Sequence, residues 1–186
     1  MQNRTRRAAV PVFQQPAAKR HEIVLGIDPS LRGTGFGVIA VGKPISRALI
    51  CGTIRCPATW ERSRCLARIT EVLRGVIQQH APTACAIEGL FYAQNIQTAL
   101  IMGEARGASL VAAAEAGLEI FEMAPRKMKQ AIVGFGAAQK EAVAKMVQRM
   151  LNLAELPAPD AADALALALA YAQTNFALQT AAARRI

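Results

Sequence analysis

The chain has 186 residues, enough for one well-buried core and short for two. Hydrophobic residues make up 53% of it, yet charged, Gly or Pro positions interrupt every apolar run before the ~18 residues of a membrane helix, so a soluble protein is predicted. Lys and Arg number 22 against 13 Asp and Glu, and the resulting +9 points to a polyanionic partner.

Residues 1–21 carry Arg4, Arg6, Arg7, Lys19 and Arg20, no acid and no apolar periodicity. They read as a disordered basic extension. The segment lacks the apolar centre of a secretory signal. It shares the acid-poor character of organellar transit peptides, but Pro11 and Pro16 break the amphipathic helix such a peptide needs, which favours a bacterial-type cytoplasm. A folded domain is predicted over 22–177 and a short basic tail, with Arg184 and Arg185, over 178–186.

Within the folded part, Ile23 to Ile27 is a buried-strand run that ends on Asp28-Pro29, followed by what reads as a Gly-rich turn through Gly33, Gly35 and Gly37. Val38 to Val41 reads as a second strand and Ala48 to Arg55 as a third, an antiparallel meander. Glu61 to Gln79 places Leu66, Ile69, Leu73, Val76 and Ile77 at helical spacing. Ala84 to Ile87 is a short strand that ends on Glu88. A long helix rich in small residues covers Asn95 to Ala116, and a strand covers Leu118 to Met123. Pro125 suits the first turn of the next helix, and Lys140 to Leu153 and Asp160 to Phe176 complete the helices. A meander followed by alternating helices and strands predicts an α/β fold, a mixed sheet with helices on both faces.

Cys51, Cys56, Cys65 and Cys85 form no C-x-x-C pair, and His21 and His80 stand at ligand spacing from neither them nor each other, which speaks against zinc. The thiols read as reduced.

Acids are placed differently. Only three aspartates occur, Asp28, Asp160 and Asp163, and the last two stand at i and i+3 on one helix face. With Glu88 they form a set of four carboxylates that strand ends and one helix can gather. Left alone such a set repels itself, and a hard divalent cation removes that cost. All-oxygen donors suit Mg²⁺ or Mn²⁺ better than zinc, and a pair of such ions is suited to phosphodiester hydrolysis.

Several strings resemble the RuvC family of Holliday junction resolvases. They are Leu25-Gly-Ile-Asp28-Pro with Gly33-Thr-Gly35-Phe-Gly37-Val, Ala86-Ile-Glu88 with Leu90-Phe91-Tyr-Ala93-Gln-Asn95, and Glu104-Ala-Arg-Gly107. Lys129-Gln130, Val133-Gly134, Gly136 and Lys140 follow, then Asp160-Ala-Ala-Asp163-Ala-Leu165-Ala. The resemblance runs from Ile23 to about Tyr171. It implies a ribonuclease H-like fold and a crossover junction endodeoxyribonuclease acting in homologous recombination and DNA repair. By position it implies Asp28, Glu88, Asp160 and Asp163 as catalytic metal ligands, with two Mg²⁺ per subunit for which Mn²⁺ can substitute. Lys129 and Lys140 become candidates for phosphate contacts, and Phe91 for engaging a base at the junction. The implied partners are four-way junction DNA, a second copy through the long helix, and a RuvA/RuvB-type branch-migration complex, in a nucleoid-associated cytoplasmic setting without membrane attachment. Ser30 and Gly89 depart from the family pattern.

Two other readings of the same residues stay open. Ile27-Asp28 with Gly33-Thr-Gly35 also looks like the phosphate loop of sugar-kinase and actin-like ATPases, which need two such lobes, and a ribonuclease H-like enzyme acting on RNA would share the acids.

Overall fold

The computed structural model describes residues 21–90, 95–176 and 183–186. Strand β1 spans Ile23–Asp28, β2 Gly33–Ala40 and β3 Arg47–Arg55. They form the expected antiparallel meander, with Asp28 opposite Gly35 and Phe36 opposite Gly52. Helix α1 (Arg62–His80) leads into β4 (Ala84–Glu88), and α2 (Ile96–Glu115) into β5 (Glu119–Met123). Then come α3 (Pro125–Val133), α4 (Lys140–Met150), α5 (Pro159–Phe176) and a three-residue strand β6 (Ala183–Arg185). The sheet has six strands in the order β3-β2-β1-β4-β5-β6. β4 runs parallel to β1 and β5 parallel to β4, as chains returning through helices must, while β6 pairs antiparallel.

Local signals account for the helix ends. Asn95 caps α2 by accepting from the Thr98 N–H at 2.8 Å, and Pro125 occupies the first turn of α3. Gly134 closes α3 at φ +81, a backbone region where a side chain is costly.

Strand alternation divides the core into two layers. Leu25, Ile27, Val38, Cys85, Ile87 and Ile120 pack with α1 and α2 on one face. Val24, Ile39, Ala84, Ala86 and Met123 pack with α3, α4 and α5 on the other. The sequence predicts a turn at Gly33, Gly35 and Gly37, but these residues lie inside β2, and the turn is at 29–32. The glycines serve packing. A Cβ on Gly35 would stand 2.0 Å from the Asp160 carbonyl oxygen, and one on Gly26 1.9 Å from that of Ala164. Helix α5 lies directly on the strands because they present bare backbone beneath it, and its own side chains from Ala161 to Ala172 are all buried.

Both ends of the predicted domain differ in detail. His21, placed with the extension on sequence, is buried and shares a 3.0 Å hydrogen bond with Thr83 Oγ1. Ala183–Arg185, read as part of the basic tail, supplies the sheet's edge strand. Three residues with two arginines carry no strand periodicity, so only the free edge of β5 can select that conformation.

Candidate active site

Asp28 is the last residue of β1 and Glu88 the last of β4, and the two strands are parallel neighbours, so both acids leave the sheet at the same edge. Alternation fixes the face. Ile27 and Ile87 point into the α1–α2 layer, so Asp28 and Glu88 turn toward the α5 layer. Helix α5 begins at that edge, with Asp160 in its first turn and Asp163 one turn on. The close approach at Gly33 and Gly35 brings Asp160 in: its Oδ2 lies 3.2 Å from where a Gly33 Cβ would stand.

The four acids are electrostatically one group. Burial, a hydrogen bond to the Glu88 side chain and the Glu88 charge push Asp28 up to about 9, with Lys140 opposing and Asp160 adding. Asp28 therefore keeps its proton near neutral pH when no cation is present, hydrogen-bonded to the Glu88 side chain. Asp163 is buried, and burial raises its pKa despite a partner in Lys140, whose Nζ stands 3.1 Å from Asp163 Oδ2. Burial opposes the Lys140 ammonium, but the hydrogen bond and charge of Asp163, with Asp28 and Asp160 behind it, hold its pKa above the ordinary lysine value.

Lys140 opens α4, which packs on α5, and this places its charge among the acids. Lys129, on α3, is near enough for its charge to act on Asp163. Phe91 lies outside the described residues. Arg106, which the sequence presents only inside a family string, reaches the same edge from α2: its Nε donates to the Glu88 carbonyl at 3.3 Å, and its Nη2 pairs with Glu122 Oε2. Nothing in the sequence marks that contact, because it joins residues on three separate elements.

Among the described residues, no set of three or more His, Cys, Asp or Glu side chains stands ready at ligand spacing. The acids are arranged instead as a hydrogen-bonded pair, Asp28 with Glu88, and a lysine-paired aspartate. They nevertheless fit a hard divalent cation. The donors are all carboxylate oxygens, and Asp163 Oδ1 is buried with no hydrogen-bond partner among the described residues, an uncompensated acceptor that a cation would satisfy. A mainly apolar cleft lies elsewhere, by the β2–β3 connection, lined by Pro44, Ile45, Met150 and Leu169.

Comparison with known proteins gives the family. The family described as "Crossover junction endodeoxyribonuclease RuvC" matches residues 24–171. The protein of that name from Akkermansia muciniphila is 45% identical over 148 residues, 80% of this chain and 89% of that protein. The one from Halorhodospira halophila is 45% identical over 159 residues, covering 86% and 95%. Among solved structures, Thermus thermophilus RuvC in complex with a Holliday junction substrate superposes with a TM-score of 0.80 at 36% identity, over 89% of this chain and all of that one. The yeast mitochondrial Holliday junction resolvase, at 11% identity and TM-score 0.60, shares the fold.

Proposed function

The chain belongs to the RuvC family of crossover junction endodeoxyribonucleases, and from that membership we infer how its own residues make the cut. It is a ribonuclease H-like endonuclease that resolves Holliday junctions in recombination and repair. The ATPase reading falls with that membership, and the described residues hold one sheet and one such loop where that reading needs two lobes.

Asp28, Glu88, Asp160 and Asp163 are the catalytic acids and hold Mg²⁺, two ions per subunit, with Mn²⁺ able to substitute. The observation that carries this reading is the convergence of the four on one sheet edge, with a buried Asp163 oxygen lacking any partner among the described residues. When bound, the ions supply the charge that activates a water and stabilises the leaving oxygen. The chain's residues do the rest. Asp28 and Glu88, already hydrogen-bonded, would hold the cation, and Asp28 would release its proton to do so. Asp160 and Asp163 are held in position by a helix that cannot shift without striking the strands below. Lys140 and Lys129 offer positive charge at the acid edge, so that phosphate is drawn toward carboxylates that would repel it.

Helix α2 is the surface for a second copy. Ile96 and Leu100 are 81% and 61% exposed along it, while the backbone at Gly107 is open, with nothing within 4 Å of the position a methyl group would take there. A two-fold pair supplies two identical sites for two opposed cuts. Four-way junction DNA is the substrate. The family resemblance adds a RuvA/RuvB-type branch-migration complex as partner and a nucleoid-associated cytoplasmic setting. No described helix is long and apolar enough to cross a membrane.

Cleavage of an end-labelled four-way junction, with a linear duplex and an RNA hairpin as controls and Mg²⁺ or EDTA present, tests the reading. Paired cuts at symmetric positions, on the junction alone and with Mg²⁺ alone, are expected. Cutting of the RNA hairpin in preference, or activity in EDTA, would overturn it.

A further inference from the structure

Glu88 is the last residue of the short strand β4, so its main chain stands at a strand end. A strand end frays unless something holds its last carbonyl. On the far side of the sheet, something does. Glu88 pairs in register with Met123, and Ile87 with Glu122. Met123 packs in the α5 layer, so Glu122 points the other way, toward α2. There Arg106 joins the two strands: Nη2 to the Glu122 carboxylate, Nε to the Glu88 carbonyl at 3.3 Å. The Arg106 and Glu122 side chains are only 16% and 22% exposed, so the pair is partly desolvated and less screened than a surface ion pair. The next peptide is fixed as well, since the Gly89 N–H donates to the Met123 carbonyl at 3.0 Å. Glu88 is thus gripped by its main chain from the α2 face while its carboxylate meets Asp28 on the α5 face.

We propose that Arg106 is a positioning residue of the nuclease: its guanidinium, anchored by Glu122, fixes the Glu88 carbonyl and with it the direction from which the Glu88 carboxylate enters the acid cluster. Arginine suits this task because its planar fork sends two donors in set directions at once, one to a carbonyl and one to a carboxylate. A lysine ammonium on a flexible stem satisfies one or the other. The arrangement also ties the cutting edge to α2, the helix assigned above to the second copy. Leu90, one residue past Gly89, lies against the same helix, its Cδ1 3.9 Å from a methyl position on Gly103. Outer contacts of this kind around metal-binding side chains are worth about 10- to 100-fold in activity or metal affinity. This inference rests on the assignment of Glu88 as a metal-binding acid.

The test compares Arg106→Gln and Glu122→Gln with Glu88→Gln in the full-length protein. Junction affinity is read in EDTA, kcat and KM at saturating Mg²⁺, and the rise in Tm on adding Mg²⁺ at a pH where all variants are folded. Arg106→Gln should keep junction affinity and KM within about twofold, lower kcat about 10- to 100-fold, and shift the Mg²⁺ midpoint of the Tm rise upward. Glu122→Gln should move the same midpoint the same way by a smaller factor, and the double variant should be no worse than Arg106→Gln, because both act through one chain of contacts. If Arg106→Gln does not fold, Glu122→Gln alone decides. A wild-type kcat and Mg²⁺ midpoint in the folded variants, with or without a lower Tm, would overturn the proposal and leave the pair as a structural tie. Should Glu88→Gln itself retain cleavage and the full Mg²⁺ response, the metal assignment of Glu88 fails first, an outcome separable from failure at Arg106.

Discussion

Among single residues, the carboxylates are where charge, burial and chemistry conflict most. If, as proposed, Asp28 and Asp163 serve the cation and not the DNA, Asp28→Asn or Asp163→Asn should abolish cleavage while junction binding persists or tightens, since repulsion toward phosphate is reduced. Gel-shift and cleavage assays on one labelled junction separate the two effects, and retained cleavage removes the residue from the mechanism. Titration gives a second expectation. The Asp28 pKa in the folded chain, about 9, lies above the ordinary value of 3.8. Between those values the folded chain keeps a proton that the unfolded chain has released, so the metal-free protein loses stability as pH rises through that window. The raised pKa of Asp163 acts in the same direction. A Tm measured in EDTA should therefore fall from pH 5 to pH 9, more steeply than in Asp28→Asn. Mg²⁺ should restore much of the loss by replacing the Asp28 proton. Equal slopes for the two proteins would rule out Asp28 as the source.

For the elements, the decisive relation is that of α5 to the strands under it. Helices commonly pack on sheets about 10 Å away, through side chains. Here Gly26, Gly35 and Gly37 remove those side chains on one side, and the alternating alanines of α5 keep its own small. Gly35→Ala places a methyl 2.0 Å from the Asp160 carbonyl oxygen, so either the helix start or the strand must move. Overpacking of this sort costs on the order of 1–3 kcal/mol, more where backbone is the obstacle. The expected result is a lower Tm together with a fall in kcat beyond what stability explains, because Asp160 moves with the helix. At Gly75, inside α1, nothing lies within 4 Å of an added Cβ, and Gly75→Ala should leave kcat unchanged and raise Tm slightly, since alanine favours a helix interior over glycine by about 1 kcal/mol. If Gly35→Ala matched Gly75→Ala in a thermal melt and a cleavage assay, the close-approach argument would be wrong.

The whole molecule adds symmetry and long-range charge. A Cβ at Gly107 has no atom of the described residues within 4 Å, so Gly107→Leu should leave a single subunit folded while it obstructs a second copy on α2. Sedimentation should then report half the mass, and junctions should be nicked on one strand in place of paired cutting. A dimeric Gly107→Leu that still cuts in pairs would place the two-fold contact elsewhere. The 1–20 segment, outside the described residues, carries five cations and no acid. Its deletion should preserve the fold and the cut but lower the salt dependence of DNA binding, each lost phosphate contact contributing ~0.9 to the slope. An unchanged slope would mean that the extension does not touch DNA.

Patterns that repeat locally were readable from the sequence. Period-2 and period-3.6 spacing placed β1, β3, β4 and β5 and the helices α1, α2, α4 and α5 to within about three residues, since one side of each element must be apolar, whereas β2 begins five residues before its expected start and only the first turn of α3 was marked, by Pro125. The acids could be named because Asp28 and Glu88 close apolar runs and Asp160 and Asp163 share a helix face. Where the glycines belonged was not readable: Gly33, Gly35 and Gly37 look like a turn along the chain, and only α5 lying over them shows that they are strand residues cleared for another element's backbone. Strand β6 was equally invisible, because Ala183-Arg-Arg has no periodicity and gains its conformation from the edge it joins. The hydrogen bond between Asp28 and Glu88, the pairing of Lys140 with Asp163 and the grip of Arg106 on Glu88 all join residues distant in sequence. Sequence determines which side chains are available and which face of an element each occupies, because those follow from local spacing. Their distances, burial and charge states arise only when separate elements pack, because the Coulomb and desolvation energies that set them depend on where the chain folds back on itself.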